Sequence, residues 1–305
     1  MNYTLHQLQI FVVVADNSSI TKASDQLHMT QPAVSIQLKK LQDNFDIPLY
    51  EVIGRKLYLT DFGKEFLEIS RSILNEVKQI DYKTKAFKGL LTGKLKIACV
   101  STSKYVIPYF LSDFLKQNPH VDLNLEVTNK TQVLRALERN EMDFCVVSLL
   151  PTEPEIEKIT LLSNHLYLVA NQNFDEEVDD ISKIPLVFRE EGSGTRQTME
   201  HFFEEQDIKP KVKLELLSNE TVKQAVIAGL GYSILPLVSI KNELATKTLK
   251  IVEYKKLPIA TSWQLIWHKN KKLSPVSKAF LEHLETNKND ILKKHFSWLH
   301  QYRNE

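Results

Sequence analysis

Short amphipathic segments separated by tight turns make up the first part of the chain. Apolar residues recur at helical spacing over residues 4–16, and a shorter stripe of the same kind follows Ser19. Serine is a residue type that caps helices, and Gln31 followed by Pro32 is typical of a helix start. The pattern predicts three short helices. The last two are joined by so tight a turn that they form a helix-turn-helix.

The outer face of the third predicted helix is polar, and a predicted hairpin follows it. Residues 48–59 contain two β-type segments around Gly54, with two cations at the turn. Hydroxyl, amide and basic side chains in these places can bind base edges and phosphates. The residues expected to contact DNA are Ser19, Thr30, Gln31, Pro32, Ser35, Lys39, Lys40, Arg55 and Lys56. On this pattern alone, the alternative is a three-helix packing unit with a solvated polar face.

A single long helix is predicted from residue 60 to residue 90. Its apolar residues step by threes and fours, with one gap at Thr84: Phe62, Phe66, Ile69, Ile73, Val77, Ile80 and Phe87. This spacing is close to a coiled-coil seam, and the pattern offers the stripe no partner in its own chain. We expect it to pair with a second copy, which would present two recognition helices to a partly palindromic DNA site. The alternative is a helix that lies on its own domain.

Strand and helix patterns alternate from residue 94 onward. A first series covers residues 94–149, and a second series covers residues 166–284. Alternation of this kind predicts βαβ units and a mainly parallel sheet. The tail, residues 287–305, predicts a further amphipathic helix that docks either on this domain or on a neighbouring chain.

Composition and charge limit the function classes. The 305 residues are 43% hydrophobic and 25% charged with a net charge of +1, so DNA binding would depend on where the cations lie. The two cysteines, Cys99 and Cys145, are not spaced as a disulfide framework or a zinc site. We expect them to pack in the core, with a redox role as the alternative. A secretory signal and a membrane-spanning run are not evident, so a cytoplasmic protein is expected.

The stretch from Leu8 to Gly63 resembles the N-terminal domain of LysR-type transcription regulators. The matching residues are Leu8, Phe11, Ala15, Ser19, Ala23, Leu27, Gln31, Pro32, Ala33, Val34, Ser35, Leu41, Pro48, Leu49, Tyr50, Leu59, Thr60 and Gly63. Ile36 and Val52 stand where such regulators usually carry arginine, which implies fewer phosphate contacts.

The second half resembles the effector domain of the same family. The resemblance implies an α/β, periplasmic-binding-protein-like fold with two lobes and a cleft, and tetramers built from two dimers. The implied organisation is a winged helix-turn-helix over 1–60, a linker helix over 61–90 and an effector-binding domain over 91–305, with lobe 1 at 91–163 plus 268–305 and lobe 2 at 164–267.

Four loops are candidates for binding an effector, because ligands of open α/β sheets lie beyond the carboxyl ends of the strands. The loops are residues 101–103, 128–130, 148 and 189–196, and the expected contacts in them are Ser101, Thr102, Ser103, Thr128, Asn129, Ser148, Gly192, Ser193, Gly194, Thr195 and Arg196. The last five resemble the loop of the LysR-type subgroup that regulates carbon fixation and sulfur assimilation and senses small anionic metabolites. Glu191 stands where this subgroup often has proline. The alternative is a capped loop without a ligand.

Together these patterns predict a DNA-binding transcription regulator that is not an enzyme. A small anionic metabolite in its cleft is expected to shift its conformation and its promoter binding. The expected partners are double-stranded DNA, the effector, further copies of the chain and RNA polymerase, without cofactor, metal or membrane. A solute-binding protein would not need the helix-turn-helix, and the sequence lacks the motifs that would favour an α/β enzyme. These two classes are the alternatives.

Overall fold

The computed structural model describes residues 3–53, 56–86, 90–174 and 177–302. The chain forms two compact units, Met1–Leu90, here called the head, and Leu91–Glu305, here called the body. Arg55 and Phe87, predicted to contact DNA and to extend the apolar stripe, lie outside the described residues. None of the described helices combines the length and the apolar composition that a membrane span requires.

The described part of the head consists of short helices, a hairpin and a long helix. Its elements are α1 (Leu5–Asn17), α2 (Ile20–Leu27), α3 (Gln31–Gln42), β1 (Tyr50–Ile53), β2 (Lys56–Leu59) and α4 (Asp61–Ala86). The Ser19 hydroxyl caps α2 by accepting a hydrogen bond from the Lys22 N–H at 3.4 Å. β1 and β2 pair antiparallel along their whole length. The predicted helix-turn-helix and hairpin are therefore confirmed.

The first turns of α4 pack on the helices of the head. Phe66 is 8% exposed, and its ring meets that of Phe11 edge-on at a centroid distance of 5.3 Å. Phe62 packs against the same cluster. The expectation that the apolar stripe has no partner in its own chain is therefore wrong for Phe62 and Phe66. Ile69 and Ile73, further along α4, are 58% and 37% exposed.

The body is built on a mixed sheet. Its elements are β3 (Gly93–Val100), α5 (Ile107–Gln117), β4 (Val121–Thr128), α6 (Lys130–Glu138), β5 (Phe144–Val147), β6 (Ile156–Asn171), β7 (Leu186–Arg189), α7 (Gly194–Glu205), β8 (Val212–Leu216), α8 (Asn219–Ile227), β9 (Ser233–Pro236), α9 (Lys241–Ala245), β10 (Leu249–Ile251), β11 (Ile259–His268) and α10 (Pro275–Phe296). Within the described residues, the large sheet has the order β10-β6-β11-β5-β3-β4, with β9 paired to β6. β7 and β8 form a separate parallel pair.

The long strands β6 and β11 introduce the antiparallel pairing. β3 runs parallel to β4 and β5, whereas β6 and β11 run antiparallel to each other, and β11 runs antiparallel to β5. The expectation of a mainly parallel sheet is therefore wrong. The first half of β6 pairs with β11 and its second half pairs with β9 and β10. It thus runs from the larger core of the body into a smaller core around Phe188 and Phe203.

The tail packs on its own domain. A 3-10 helix over residues 297–302 follows α10 directly. Phe296 is 5% exposed and stacks on Phe110 of α5 at a centroid distance of 6.2 Å. The Tyr167 hydroxyl in β6 donates a hydrogen bond to the Tyr302 carbonyl at 2.5 Å. The sequence left open whether the tail docks on its own domain or on a neighbouring chain, and in the structure it packs on its own domain.

Candidate functional sites

The outward face of α3 is a polar surface with one apolar residue in it. The helix buries Val34, Leu38 and Leu41 against the rest of the head, each no more than 1% exposed. Its other face presents Gln31, Pro32, Ser35, Ile36, Lys39 and Lys40. In the major groove of DNA, amide and hydroxyl groups of this kind reach base edges, and lysines reach phosphates.

The remaining predicted DNA contacts lie before and after α3 in the sequence. Thr30 precedes α3, and its hydroxyl makes no capping hydrogen bond. The Ser19 hydroxyl accepts the capping bond of α2, which leaves its O–H free to donate to a phosphate. Lys56 is exposed in β2. These remaining contacts are thus at helix starts and in the hairpin, while Arg55 lies outside the described residues.

In the body, the predicted effector loops at the carboxyl ends of β4, β5 and β7 meet. The Thr131 N–H donates to the Gly192 carbonyl at 3.2 Å. Gly192 has a φ of +82°, and a Cβ there would lie 2.6 Å from Thr131 Oγ1, so any side chain at this position would be strained. A Cβ built at Gly194 would lie 3.6 Å from Ser148 Oγ. The glycine-rich loop therefore touches both neighbouring loops.

A buried arginine joins the remaining predicted loop, which follows β3, to the loops after β4, β5 and β7. Arg189, the last residue of β7, is 2% exposed, and its Nη1 donates to Ser101 Oγ at 3.0 Å and to Asn219 Oδ1 at 2.8 Å. Its Nε and Nη2 donate to the two carboxylate oxygens of Glu190 at 2.8 and 2.9 Å. Residues 101–103, 128–131, 148, 189–196 and 219 are here called the loop cluster.

Arg189 begins the glycine-rich loop predicted from the sequence but was not among the expected contacts, and Asn219 was not expected to bind an effector. A basic residue at the end of a strand, just before two glycines, was the signal that could have identified Arg189. Asn219 is 3% exposed, and its Nδ2 has no hydrogen-bond acceptor among the described residues. A buried donor without an acceptor is unfavourable unless a ligand or water supplies one.

Lys130 adds a positive charge to the loop cluster; it lies in the predicted loop after β4 but was not among the expected contacts. Its Nζ donates to Gln197 Oε1 of α7 at 2.9 Å. Burial lowers the pKa of the Lys130 ammonium, and no carboxylate of the described chain pairs with it. A half-buried cation in this state favours an anionic ligand, because the ligand's charge would offset the desolvation of the ammonium.

Two helix starts meet in the loop cluster. Asn129 Oδ1 caps α6 by accepting from the Gln132 N–H at 3.1 Å, and Ser193 Oγ caps α7 at 3.5 Å. The other predicted contacts beside these strand and helix ends are Thr102, Thr128 and Thr195. The positive ends of two helix dipoles favour an anion at such a place.

Two predicted effector contacts are already engaged within the fold. Arg196 pairs with Glu200 at 2.6 Å and with Glu215 at 2.7 Å, and these hydrogen bonds raise its pKa. Ser103 is fully buried, and its hydroxyl donates to the Val100 carbonyl at 2.7 Å. In this structure Arg196 and Ser103 hold the fold together instead of presenting free groups to a ligand.

A cavity of about 420 Å³ lies against α7. Leu149, which follows Ser148, and Thr198, one turn after Gly194, contribute to its wall. The same two elements therefore line both the loop cluster and this cavity. Its volume is within the usual range for pockets that bind small molecules, roughly 300–1,000 Å³.

The cysteines lie in neighbouring strands but face opposite sides of the sheet. Ala98 is the partner of Cys145 in the parallel register, and Cys99 is the partner of Val146. Successive side chains in a strand point to opposite faces, so the two thiols are separated by the sheet. Burial raises the pKa of Cys99, and it raises that of Cys145 to about 12. These observations support core packing.

Two family models match the chain. Residues 5–64 match the bacterial regulatory helix-turn-helix protein of the lysR family, and residues 88–288 match the LysR substrate binding domain.

Curated relatives match over nearly the full length. The transcriptional activator CmpR of Synechocystis is 37% identical over 289 residues, covering 93% of this chain and 95% of that protein. The RuBisCO operon transcriptional regulator of Acidithiobacillus ferrooxidans is 36% identical, covering 92% and 93%.

Solved structures agree with this fold. The regulatory domain of Synechocystis CcmR, solved in complex with 2-PG, is 31% identical with a TM-score of 0.61, covering 63% of this chain and 96% of that one. Full-length CbnR in complex with its target DNA is 22% identical with a TM-score of 0.64, covering 92% and 99%, and supports the fold alone. The chain therefore belongs to the LysR-type transcription regulators, DNA-binding proteins with an effector-binding domain rather than enzymes.

Proposed function

We propose that the head binds a partly palindromic DNA site and that a small anionic metabolite in the loop cluster regulates this binding. The observation that carries the effector proposal is the meeting of four strand-end loops, one of which holds Lys130, whose ammonium pairs with no carboxylate of the described chain. A ligand that binds one conformation of the body more tightly shifts the population of that conformation. The regulator would act in the cytoplasm, where its DNA is.

The proposed DNA contacts are those expected from the sequence. They are Ser19, Thr30, Gln31, Pro32, Ser35, Lys39, Lys40, Arg55 and Lys56. The outward face of α3 supports this set, because its polar side chains are exposed while its apolar residues Val34, Leu38 and Leu41 are buried. Lysines would position the head on phosphates, and the amide and hydroxyl groups would read bases.

We propose a phosphorylated carboxylic acid as the effector class. The CcmR regulatory domain was solved with 2-PG, and 2-phosphoglycolate joins a phosphate to a carboxylate. The loop cluster offers an ammonium that pairs with no carboxylate of the described chain, two helix starts and the unsatisfied Asn219 amide to such an anion. The proposed contacts are Ser101, Thr102, Thr128, Asn129, Lys130, Ser148, Gly192, Ser193, Gly194, Thr195 and Asn219.

We propose that α4 joins two copies into a dimer and that two dimers form a tetramer, which contacts RNA polymerase. Ile69 and Ile73 support the dimer, because an exposed pair of isoleucines at coiled-coil spacing favours burial against a second helix. Sedimentation of the Ile69→Glu variant at lower mass than the wild type would support the dimer; unchanged mass would contradict it.

We also propose that the body moves as two lobes, 91–163 with 268–305 and 164–267, about the strands β6 and β11.

Thermal unfolding of the full-length protein with 2-phosphoglycolate tests the effector proposal. A ligand at 100 times its dissociation constant stabilises a protein by about 2.7 kcal/mol, which is a readable shift in Tm. Lys130→Gln should reduce the shift. The matched control is Lys94→Gln, which alters an exposed lysine at the other end of β3 and should leave the shift unchanged.

The possible outcomes test the class of effector and the location of its binding site separately. No shift of the wild type with 2-phosphoglycolate, phosphate or sulfate would contradict an anionic effector. A full shift in Lys130→Gln would contradict the assignment to the loop cluster. Selection of DNA sites from a random pool tests the head independently, since failure to enrich any sequence would contradict specific DNA binding.

A further inference from the structure

We propose that Ile36 is a specificity-determining residue that contacts the 5-methyl group of a thymine in the major groove of the target DNA. This inference rests on the proposed role of α3 as the recognition helix. It goes further by assigning one base contact to one side chain, which is apolar and was not among the predicted DNA contacts.

Ile36 has no structural role that explains an apolar side chain at this position. It is 54% exposed. It belongs neither to the buried core of the head nor to the half-buried apolar residues packed against that core. Isoleucine also favours a helix less than lysine, arginine or glutamine does, so local helix stability gives no reason for it.

The position of Ile36 on α3 is one that reaches bases. It is the sixth residue of a helix that begins at Gln31, and recognition helices contact base edges with their N-terminal residues. Pro32 and Lys40 lie one turn before and after it on the same face, and Ser35 is beside it. The isoleucine therefore lies inside the surface that would face the groove.

The chemistry of the groove then limits what Ile36 can recognise. Base edges in the major groove present hydrogen-bond donors and acceptors, and the thymine C5-methyl is the apolar exception. Isoleucine pressed against a polar edge would displace water without replacing its hydrogen bonds, which is unfavourable. Burial of a methyl-sized group is worth about 0.8 kcal/mol, which corresponds to about a fourfold change in affinity. A thymine opposite Ile36 is therefore the favoured base.

Replacing thymine by deoxyuridine tests this, because the replacement removes the methyl group and keeps the pairing. A site is first selected from random DNA with the full-length wild-type protein, and each thymine is then replaced singly. We expect the wild type to lose roughly fourfold in affinity at one thymine of each half-site. Ile36→Ala should bind the thymine and deoxyuridine forms of that position equally well.

A matched control is available in the head. Ile47 is 56% exposed and lies between α3 and β1, off the α3 surface, so Ile47→Ala should keep the deoxyuridine profile of the wild type. Ile36→Gln gives a second, helix-compatible variant, and selection repeated with it should no longer enrich thymine at that position.

Each result has a separate meaning. A wild type indifferent to every deoxyuridine would overturn the thymine contact, and an Ile36→Ala profile equal to that of the wild type would overturn the assignment to Ile36. If the wild type enriches no site at all, the proposed DNA binding of the head fails instead. The melting temperature of Ile36→Ala should match that of the wild type, since the side chain lies outside the core.

Discussion

The head and the body present their candidate binding groups in opposite ways. On the head, Ser35, Ile36 and Lys39 come from one helix and are exposed or half-buried. In the body, Ser101, Arg189 and Asn219 come from different elements, and hydrogen bonds join them to one another before any ligand is bound.

This difference decides how each region should respond to mutation. A side chain on the surface of α3 is not needed to hold the head together, so its loss should weaken binding and leave the fold intact. The groups of the loop cluster serve both the fold and the ligand, so some substitutions there should reduce stability first. The following variants test this contrast, from the largest expected effect to the smallest.

Arg189→Met should have the largest effect. It leaves the Glu190 carboxylate, which is 14% exposed, without its partner, and removal of one member of a buried pair destabilises by about 3–5 kcal/mol. Urea unfolding should show this loss in the transition of the body. Arg139→Met is the control, because it removes only a surface pair with Glu141 and should change stability by less than about 1 kcal/mol. Equal stability of the two variants would contradict the role of Arg189.

Gly63→Ala should destabilise the head by about 1–3 kcal/mol, since forced overpacking displaces backbone. A Cβ at Gly63 would lie 1.8 Å from the Leu49 carbonyl oxygen. Calorimetry should show a lower melting temperature for the head, accompanied by weaker DNA binding, whereas the stabilisation of the body by 2-phosphoglycolate should persist. An unchanged head transition would contradict this prediction.

Ser193→Asp should separate ligand binding from stability within the loop cluster. Aspartate caps helices as well as serine does, so α7 should remain stable. Its carboxylate would repel an anionic effector, and we expect affinity for 2-phosphoglycolate to fall by at least about tenfold, or 1.4 kcal/mol, in titration calorimetry. DNA binding without effector should match that of the wild type. A normal affinity for the effector would exclude this helix start from the site.

Ser35→Ala should have the smallest effect. Loss of one hydrogen bond to DNA is worth about 0.5–1.5 kcal/mol, so affinity for a selected site should fall roughly fivefold by fluorescence anisotropy. The melting temperature of the head should not change, because Ser35 is outside its core. A large loss of stability in this variant would contradict the proposed contrast between the two regions.

The sequence was sufficient for the local structure of the head. Ser19 as a cap, Pro32 in a first turn and the spacing of Val34, Leu38 and Leu41 all act within one or two helical turns. Such short-range interactions are visible in a linear pattern. In the loop cluster, the same reasoning located the loops at strand ends but not the side chains that join them.

These side chains could not be identified from the sequence because their hydrogen-bond partners lie far away in the chain. Arg189 bonds to Ser101 and Asn219, which are 88 and 30 residues away in the chain, and Lys130 bonds to Gln197, 67 residues away. No spacing rule connects residues so far apart. Arg196 illustrates the converse, because its sequence context suggested a ligand contact while Glu200 and Glu215 occupy its guanidinium.

By itself, the sequence determined the helix-turn-helix, the hairpin, the positions of most strands and helices, and the family resemblance. Only the tertiary structure decided that β6 and β11 run antiparallel, that the tail packs on its own chain, and which polar groups of the loop cluster remain unpaired. The physical reason is the range of the interactions. Capping and periodicity act between near neighbours, whereas strand direction and the satisfaction of buried charge depend on residues that only folding brings together.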